Sequence, residues 1–296
     1  MTPNTTSAPL ASGGRSSTAT AGVLYVVATP IGNLADMVPR AVEILQSVAL
    51  IAAEDTRHSA RLLSHFSIST PCVAYHDHTE IERTAKILDR VEAGESVALI
   101  SDAGTPLVSD PGYRLVRTAR ERGLTVVPVP GACALVAALS ASGLPSDRFS
   151  FEGFPPAKAS ARRQWLEALS GESRTLIFYE APHRVLASLD TMAEVFGGDR
   201  EAVIARELTK TFETIRLAPL AELVEFVRAD SNQQRGEIVL MVAGASTRLE
   251  SALDAEAERV MGILLEELPV KQAAALGAKI TGVKKNALYQ WALEHK

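Results

Sequence analysis

Val97-Ala98-Leu99-Ile100-Ser101-Asp102-Ala103-Gly104-Thr105-Pro106-Leu107-Val108-Ser109-Asp110-Pro111-Gly112 is the stretch on which the fold reading turns. Val97 to Ile100 are apolar without alternation, the pattern of a parallel strand covered on both faces. Gly104, Pro106, Pro111 and Gly112 then stop any regular element. A strand that runs into a long Gly/Pro/Asp/Ser loop has the form of a ligand site at the carboxyl edge of an α/β sheet. Asp102 and Asp110 offer carboxylate acceptors, and Ser101, Thr105 and Ser109 offer hydroxyls. Gly104 lets backbone amides come close to a ligand. The blander alternative is a plain connection with Asp caps, but the loop is longer than the usual 2–6 or so residues.

Strands and helices alternate on both sides of this stretch. Upstream, Val23–Thr29, Val48–Ala53 and Pro71–Tyr75 read as strands, with helices between them. Downstream come the helix Tyr113–Arg122, the strand Thr125–Val129 and a helix of small residues that Pro130-Gly131-Ala132-Cys133-Ala134 opens and that runs to Ala141. This alternation through residue 141 predicts a parallel α/β sheet. Gly143 to Asp147 reads as a hinge. Beyond it, Phe149–Gly153, Thr175–Tyr179, Ala202–Ala205, Phe212–Leu217 and Glu237–Ala243 are strand-like and more closely spaced. A mixed sheet is expected there.

The fold class is therefore α/β, with two α/β domains at 23–143 and 148–244. A helical extension at 254–296 follows, in which Ala278, Gly282 and Leu288 resemble the small residue, turn glycine and core residue of a helix-turn-helix. Its lysines, Lys271, Lys279, Lys284, Lys285 and Lys296, make this end basic and able to meet phosphates. Residues 1–22, rich in Thr, Ser, Ala and Gly and without a hydrophobic signal core, are expected to be a disordered tail.

The chain has 296 residues, a hydrophobic fraction of 47% and a formal net charge of −5. The charge argues against non-specific binding to nucleic acid by an overall field and leaves local basic patches open. No apolar run reaches the ~18 residues needed to cross a membrane. Cys72 and Cys133 lack metal-ligand spacing and read as buried thiols of a reducing cytoplasm. The first strand turn carries one glycine, Gly32, so the G-x-G-x-x-G fingerprint of nicotinamide and flavin sites is missing.

Polar clusters end several strands. Glu54-Asp55-Thr56-Arg57-His58 is either charge placed for function or a helix cap followed by a solvated face. His76-x-His78 has no third ligand in view, so no metal site is expected. Lys158, Arg162 and Arg163 sit near a helix start, where basic residues oppose the helix dipole, and an anionic partner is one explanation. Glu180, Pro182, His183 and Arg184 end another strand, and Arg206-Glu207-Leu208-Thr209-Lys210 follows the next.

Taken together, Leu24–Leu34 (L-Y-V-V-A-T-P-I-G-N-L), Ala53-Glu54-Asp55-Thr56-Arg57, His76-Asp77-His78, Ser101–Pro106 and Arg206–Lys210 resemble a bacterial family of small-subunit ribosomal RNA methyltransferases within the tetrapyrrole methylase superfamily. The likeness runs from Val23 to Gly244 and resumes in the last helices. Thr79 in place of Asn and Ala243 in place of Glu depart from the pattern.

The resemblance implies methyl transfer from S-adenosylmethionine to a cytidine ribose 2′-oxygen in the decoding region of 16S ribosomal RNA. It implies the RNA or the 30S subunit as partner, a cytoplasmic homodimer, and a cofactor cleft between two α/β domains. By analogy the cofactor would be held at Pro30, Asp102, Ala103, Gly104, Thr105, Ala132, Cys133, Tyr179 and Ile238. A ribose hydroxyl is a weak nucleophile, so a base or a compensating charge would help. Asp55, Glu54, His76, His78 and Lys210 are the candidates, with Asp55, His76 and Lys210 put forward as catalytic and Arg57, Lys158, Arg162 and Arg184 for the RNA. A tetrapyrrole C-methyltransferase, with a roomy apolar cleft, and a non-catalytic RNA-binding protein are the other readings.

Overall fold

A computed structural model describes residues 22–76, 80–245 and 255–295. Almost all of the expected tail, together with Asp77, His78 and Thr79, lies outside the described residues.

The first half alternates β1 (Val23–Val27), α1 (Pro39–Ser47), β2 (Leu50–Ala53), α2 (Thr56–His65), β3 (Cys72–Ala74), α3 (Glu80–Glu92), β4 (Val97–Ile100), α4 (Tyr113–Glu121), β5 (Thr125–Val129) and α5 (Ala134–Ser142). Its five strands form one parallel sheet in the order β3-β2-β4-β1-β5. The unbroken apolar run of β4 has a physical cause. Ala98 and Ile100 face a core built with α1 and α2, whereas Val97 and Leu99 face one built with α3 and α4. Each fully buried Leu or Ile removed from water contributes about 1.5–3 kcal/mol. The helices that follow β1 and β2 thus leave from one face, and the helix that follows β4 leaves from the other. β4 therefore ends at a topological switch point, where α/β sheets open a crevice.

The second half runs β6 (Phe149–Gly153), α6 (Ala159–Leu169), β7 (Thr175–Glu180), α7 (Val185–Phe196), β8 (Glu201–Arg206), β9 (Thr214–Pro219), α8 (Leu220–Ala229) and β10 (Ile238–Val242). Its sheet is mixed, in the order β6-β7-β10-β8-β9, with only β6 and β7 parallel. α6, α7 and α8 cover one face. The other face is covered from the first half: Leu135, Ala138 and Leu139 of α5 pack on Ile177, Val203, Val239 and Met241. The small residues of α5 therefore serve close packing between the two halves. α7 was not expected from the sequence, although Val185, Leu189, Met192 and Phe196 recur at helical spacing and the first three are buried.

The last helices are α9 (Ala255–Glu267), α10 (Val270–Thr281) and α11 (Lys285–Glu294), gathered around Met261, Ala274, Leu288 and Trp291. Gly282 ends α10 in the left-handed region at φ 75°, and Leu288 is fully buried, as the helix-turn-helix pattern predicts. The residue that permits the close approach is Gly277, where a Cβ would lie 2.7 Å from the Met261 sulfur.

Candidate active site

The carboxyl edge of the first sheet meets one edge of the second. Because β10 runs against β7 and β8, its start shares that edge with their ends, and Ile238 lies opposite both Glu180 and Arg206. A cavity of about 340 Å³ lies where the two edges meet. The first half contributes Ile31, Ala103, Gly104, Thr105, Val108, Ser109, Asp110, Cys133 and Ala134 to its wall. The second half contributes Phe154, Tyr179 to Pro182, Leu208 and Gly236 to Val239.

Hydrogen bonds fix the loops that form this wall. Thr29 and Gly104 exchange backbone bonds of 2.8 and 3.0 Å, which join the ends of β1 and β4. Thr105 Oγ1 donates to the Ala132 carbonyl at 3.0 Å. The Asp55 amide donates to Asp102 Oδ1 at 3.1 Å, tying the end of β2 to the same loop. Across the two halves, the Leu135 amide donates to the Tyr179 hydroxyl at 3.2 Å.

The loops that carry the wall hold strained residues. Leu107 and Ser109 have φ of 73° and 65°, and Glu207 and Thr209 have 53° and 68°. A left-handed backbone costs a non-glycine residue about 1–2 kcal/mol. Such strain persists only where the surroundings impose it, and it concentrates at working sites. Glycine is required at Gly104, with φ +88° and Ile31 Cγ2 3.3 Å from where a Cβ would stand. It is also required at Gly236, whose Cβ would overlap the Glu207 carboxylate.

The charged groups are unequal. Burial pushes the Asp110 carboxyl up to about 6; the Ser101 hydroxyl pulls it down, and the neighbouring Glu54 and Asp102 push it further up. Burial also raises the Tyr179 phenol, and Cys133 and Asp110 add to that. Glu180, 3% exposed, accepts from the Ala181 amide at 2.7 Å and pairs with Arg184 at 3.1 Å.

Ala103, Gly104, Thr105, Cys133, Tyr179 and Ile238, named from sequence as cofactor residues, line the cavity. Asp102 and Ala132 do not line it but take part in the bonding that shapes the wall, and Pro30, buried, does not line it.

The residues expected to act as a base are elsewhere. Asp55 caps α2 through the Arg57 amide and pairs with the Arg57 guanidinium at 3.0 Å, and these contacts hold its carboxyl down to about 2. A carboxylate so engaged is a poor base. Lys210 lies at the rim, its Nζ bonded to Glu207 at 2.8 Å and to Glu237 at 2.6 Å. Burial pulls its pKa down, but the two carboxylates outweigh that and raise it, so Lys210 stays charged. His76 is half-buried beyond the end of β3 and does not line the cavity.

The expected RNA contacts also divide. Arg57 is 90% exposed at its side chain, and Lys158 is exposed. Arg162 is 5% exposed, and its guanidinium donates to Thr191 Oγ1 and to the carbonyls of Ala157 and Ala187. It joins α6 to α7 and cannot reach a nucleic acid. Arg184, partly buried, is held by Glu180.

Phe154, Glu180 and Leu208 of the wall were not picked out by sequence reading as ligand contacts. Among the described residues no helix is long and apolar enough to cross a membrane. Among them, too, no group of three or more His, Cys, Asp or Glu could hold a metal ion.

A doubly wound parallel domain closed over its crevice by a mixed-sheet domain is the architecture of the tetrapyrrole methylases. Residues 23–224 match the family described as Tetrapyrrole (Corrin/Porphyrin) Methylases, and residues 251–296 match the RsmI C-terminal HTH domain. A solved uroporphyrin-III-C-methyltransferase from Thermus thermophilus superposes with a TM-score of 0.54 at 20% identity, over 75% of this chain and 94% of that one, and so shares the fold. The ribosomal RNA small subunit methyltransferase I of Pseudomonas aeruginosa is 64% identical, over 93% of this chain and 98% of its own. Its counterpart from Vibrio cholerae is 56% identical, over 93% and 96%. The chain belongs to the ribosomal RNA small subunit methyltransferase I family.

Proposed function

We propose that the protein transfers a methyl group from S-adenosylmethionine to the ribose 2′-oxygen of a cytidine in the decoding region of 16S ribosomal RNA. The observation that carries this is the strained, two-sided cavity at the switch point of a chain in this family. Its residues suit the donor. Gly104 keeps the backbone close, and Ile31, Val108, Leu208 and Val239 supply apolar contact. When bound, the donor supplies an electrophilic methyl. The protein positions the acceptor in line and keeps water away.

The exposed Arg57 and Lys158 are available to RNA phosphates, contacts that position a nucleic acid without reading its sequence. The reading includes a cytoplasmic homodimer acting on the small subunit or its RNA, for which sedimentation of the purified chain is the direct test of oligomeric state.

The deciding experiment incubates the protein with methyl-labelled donor and, separately, 30S subunits, naked 16S RNA and a tetrapyrrole. The expected result is label in subunit RNA, recovered after alkali as a resistant dinucleotide, because a 2′-O-methyl group blocks cleavage of the adjoining phosphodiester. Label on a base, on the tetrapyrrole, or on none of the three would overturn the proposal.

A further inference from the structure

We propose that Asp110 is the group that takes the proton from the acceptor hydroxyl, and that the acceptor reaches it along the open groove at the start of α4. This deepens the methyl-transfer reading and rests on it.

The argument begins with position. Asp110 lines the interdomain cavity, and it also lines a separate surface groove bounded by Tyr113, Arg114, Arg117 and Thr118. Among the described residues no other is common to the two walls. Asp110 is thus the residue at which a chamber suited to the donor adjoins a face open to a large substrate. The backbone holds it there. Ser109 immediately before it is left-handed, and Gly112, at φ +126°, packs where a Cβ would come 2.7 Å from Leu99 of β4.

The groove has the chemistry of a nucleotide contact. Tyr113 is 69% exposed, and Arg114 and Arg117 beside it are exposed. An exposed ring takes an unstacked base by stacking, and neighbouring guanidinium groups take its phosphates. Arg117 also pairs with Glu121 at 2.5 Å, which keeps it in place along the groove.

The groups facing Asp110 are Glu54 from the end of β2, Ser101 and Asp102 from the end of β4, and Tyr179 from β7. With two carboxylates close by and part of its water removed, Asp110 binds a proton more tightly than an ordinary carboxylate and is still ionised at neutral pH. That is the balance a general base needs. As the O–H bond breaks, the proton goes to Asp110 and the oxygen's electron pair forms the new bond to the methyl carbon. The carbon–sulfur pair departs on sulfur, leaving a neutral thioether. The proton then leaves Asp110 for solvent through the groove.

The test uses the full chain, 30S subunits and three readouts: turnover against pH, donor affinity by calorimetry, and KM for subunits. Asp110→Asn is expected to bind the donor within about threefold of the parent while turnover falls about 100-fold or more, the usual span for a lost general base. The acid limb of the parent's pH profile, near 6, should disappear. Asp110→Ala should regain activity with added formate, which a purely structural role would not allow. Tyr113→Ala should raise KM for subunits and leave donor affinity alone. The proposal is overturned by Asp110→Asn turnover within tenfold of the parent, by donor affinity lost in step with turnover, by failure of formate rescue, or by an unchanged KM in Tyr113→Ala. An inactive parent would instead bring down the methyl-transfer reading itself.

Discussion

Thr29 and Gly104 face each other as an isolated antiparallel bridge between the ends of two strands that run parallel, each donating its amide to the other's carbonyl. The bridge turns two neighbouring loops into one rigid lip of the cavity. It depends on a backbone angle of +88° at Gly104.

Gly104→Ala should therefore cost about 1–2 kcal/mol for the left-handed backbone alone, and the new methyl group must displace Ile31. Denaturant midpoints should fall, and affinity for S-adenosylmethionine should drop roughly tenfold for each 1.4 kcal/mol of lost lip geometry. Unchanged affinity by calorimetry would show that the lip does not touch the donor.

Asp110 makes a prediction about stability that is independent of turnover. Its carboxyl lies near 6 in the folded protein against an ordinary 3.8. Below about pH 4 both folded and unfolded chains carry the proton, and the group costs nothing. Between about pH 4 and 6 the unfolded chain releases it first, so stability falls as pH rises and then levels off. Asp110→Asn removes that slope. The variant should gain on the order of 1 kcal/mol over the parent above pH 6, once solvent screening at this partly exposed site is allowed for, and nothing near pH 4. Urea midpoints across pH 4–8 would check both ends of the window.

Arg162 was expected to meet RNA and is instead a buried tie between α6 and α7. Arg162→Ala should destabilise the second domain by roughly 2–3 kcal/mol, through lost charge-assisted bonds and unmet acceptors. Binding of RNA by the fraction that remains folded should not change. A selective loss of RNA affinity at full stability would contradict the burial.

In the terminal helices, Gly277→Val forces a branched side chain against Met261 and Leu288. The strain should loosen the three-helix unit by about 1–3 kcal/mol. Trp291, 8% exposed in that core, should report the change as a red-shifted emission, with donor binding intact.

Much of the fold was readable in the chain because its determinants are local. The unalternating run at Val97–Ile100 announces a strand with two covered faces, and the rhythm of strand and helix gives the parallel sheet. The loop from Ser101 to Gly112 stood out for length and composition and does form the lip of the cavity. What failed to show depends on pairing across the chain. The wall at Glu180 and Leu208 comes together because β10 pairs antiparallel with both β7 and β8, a register no local pattern specifies. α7 is readable in the apolar spacing of Val185, Leu189, Met192 and Phe196, and its absence from the expected elements has no such long-range cause. Arg162 was marked as unusual for a sound reason, its conflict with the helix dipole; the resolution is a trio of interior acceptors, invisible until α7 is in place.

The cavity wall runs in sequence from Ile31 to Val239, and its halves are clasped by α5 against the second sheet. A ribosome making this chain must therefore carry synthesis past residue 239 before any chamber for the donor exists. The first sheet can form earlier, but alone it offers only an open ledge. Ligand capture and the docking of the two halves are thus thermodynamically linked, so that whatever fills the chamber also holds the halves together.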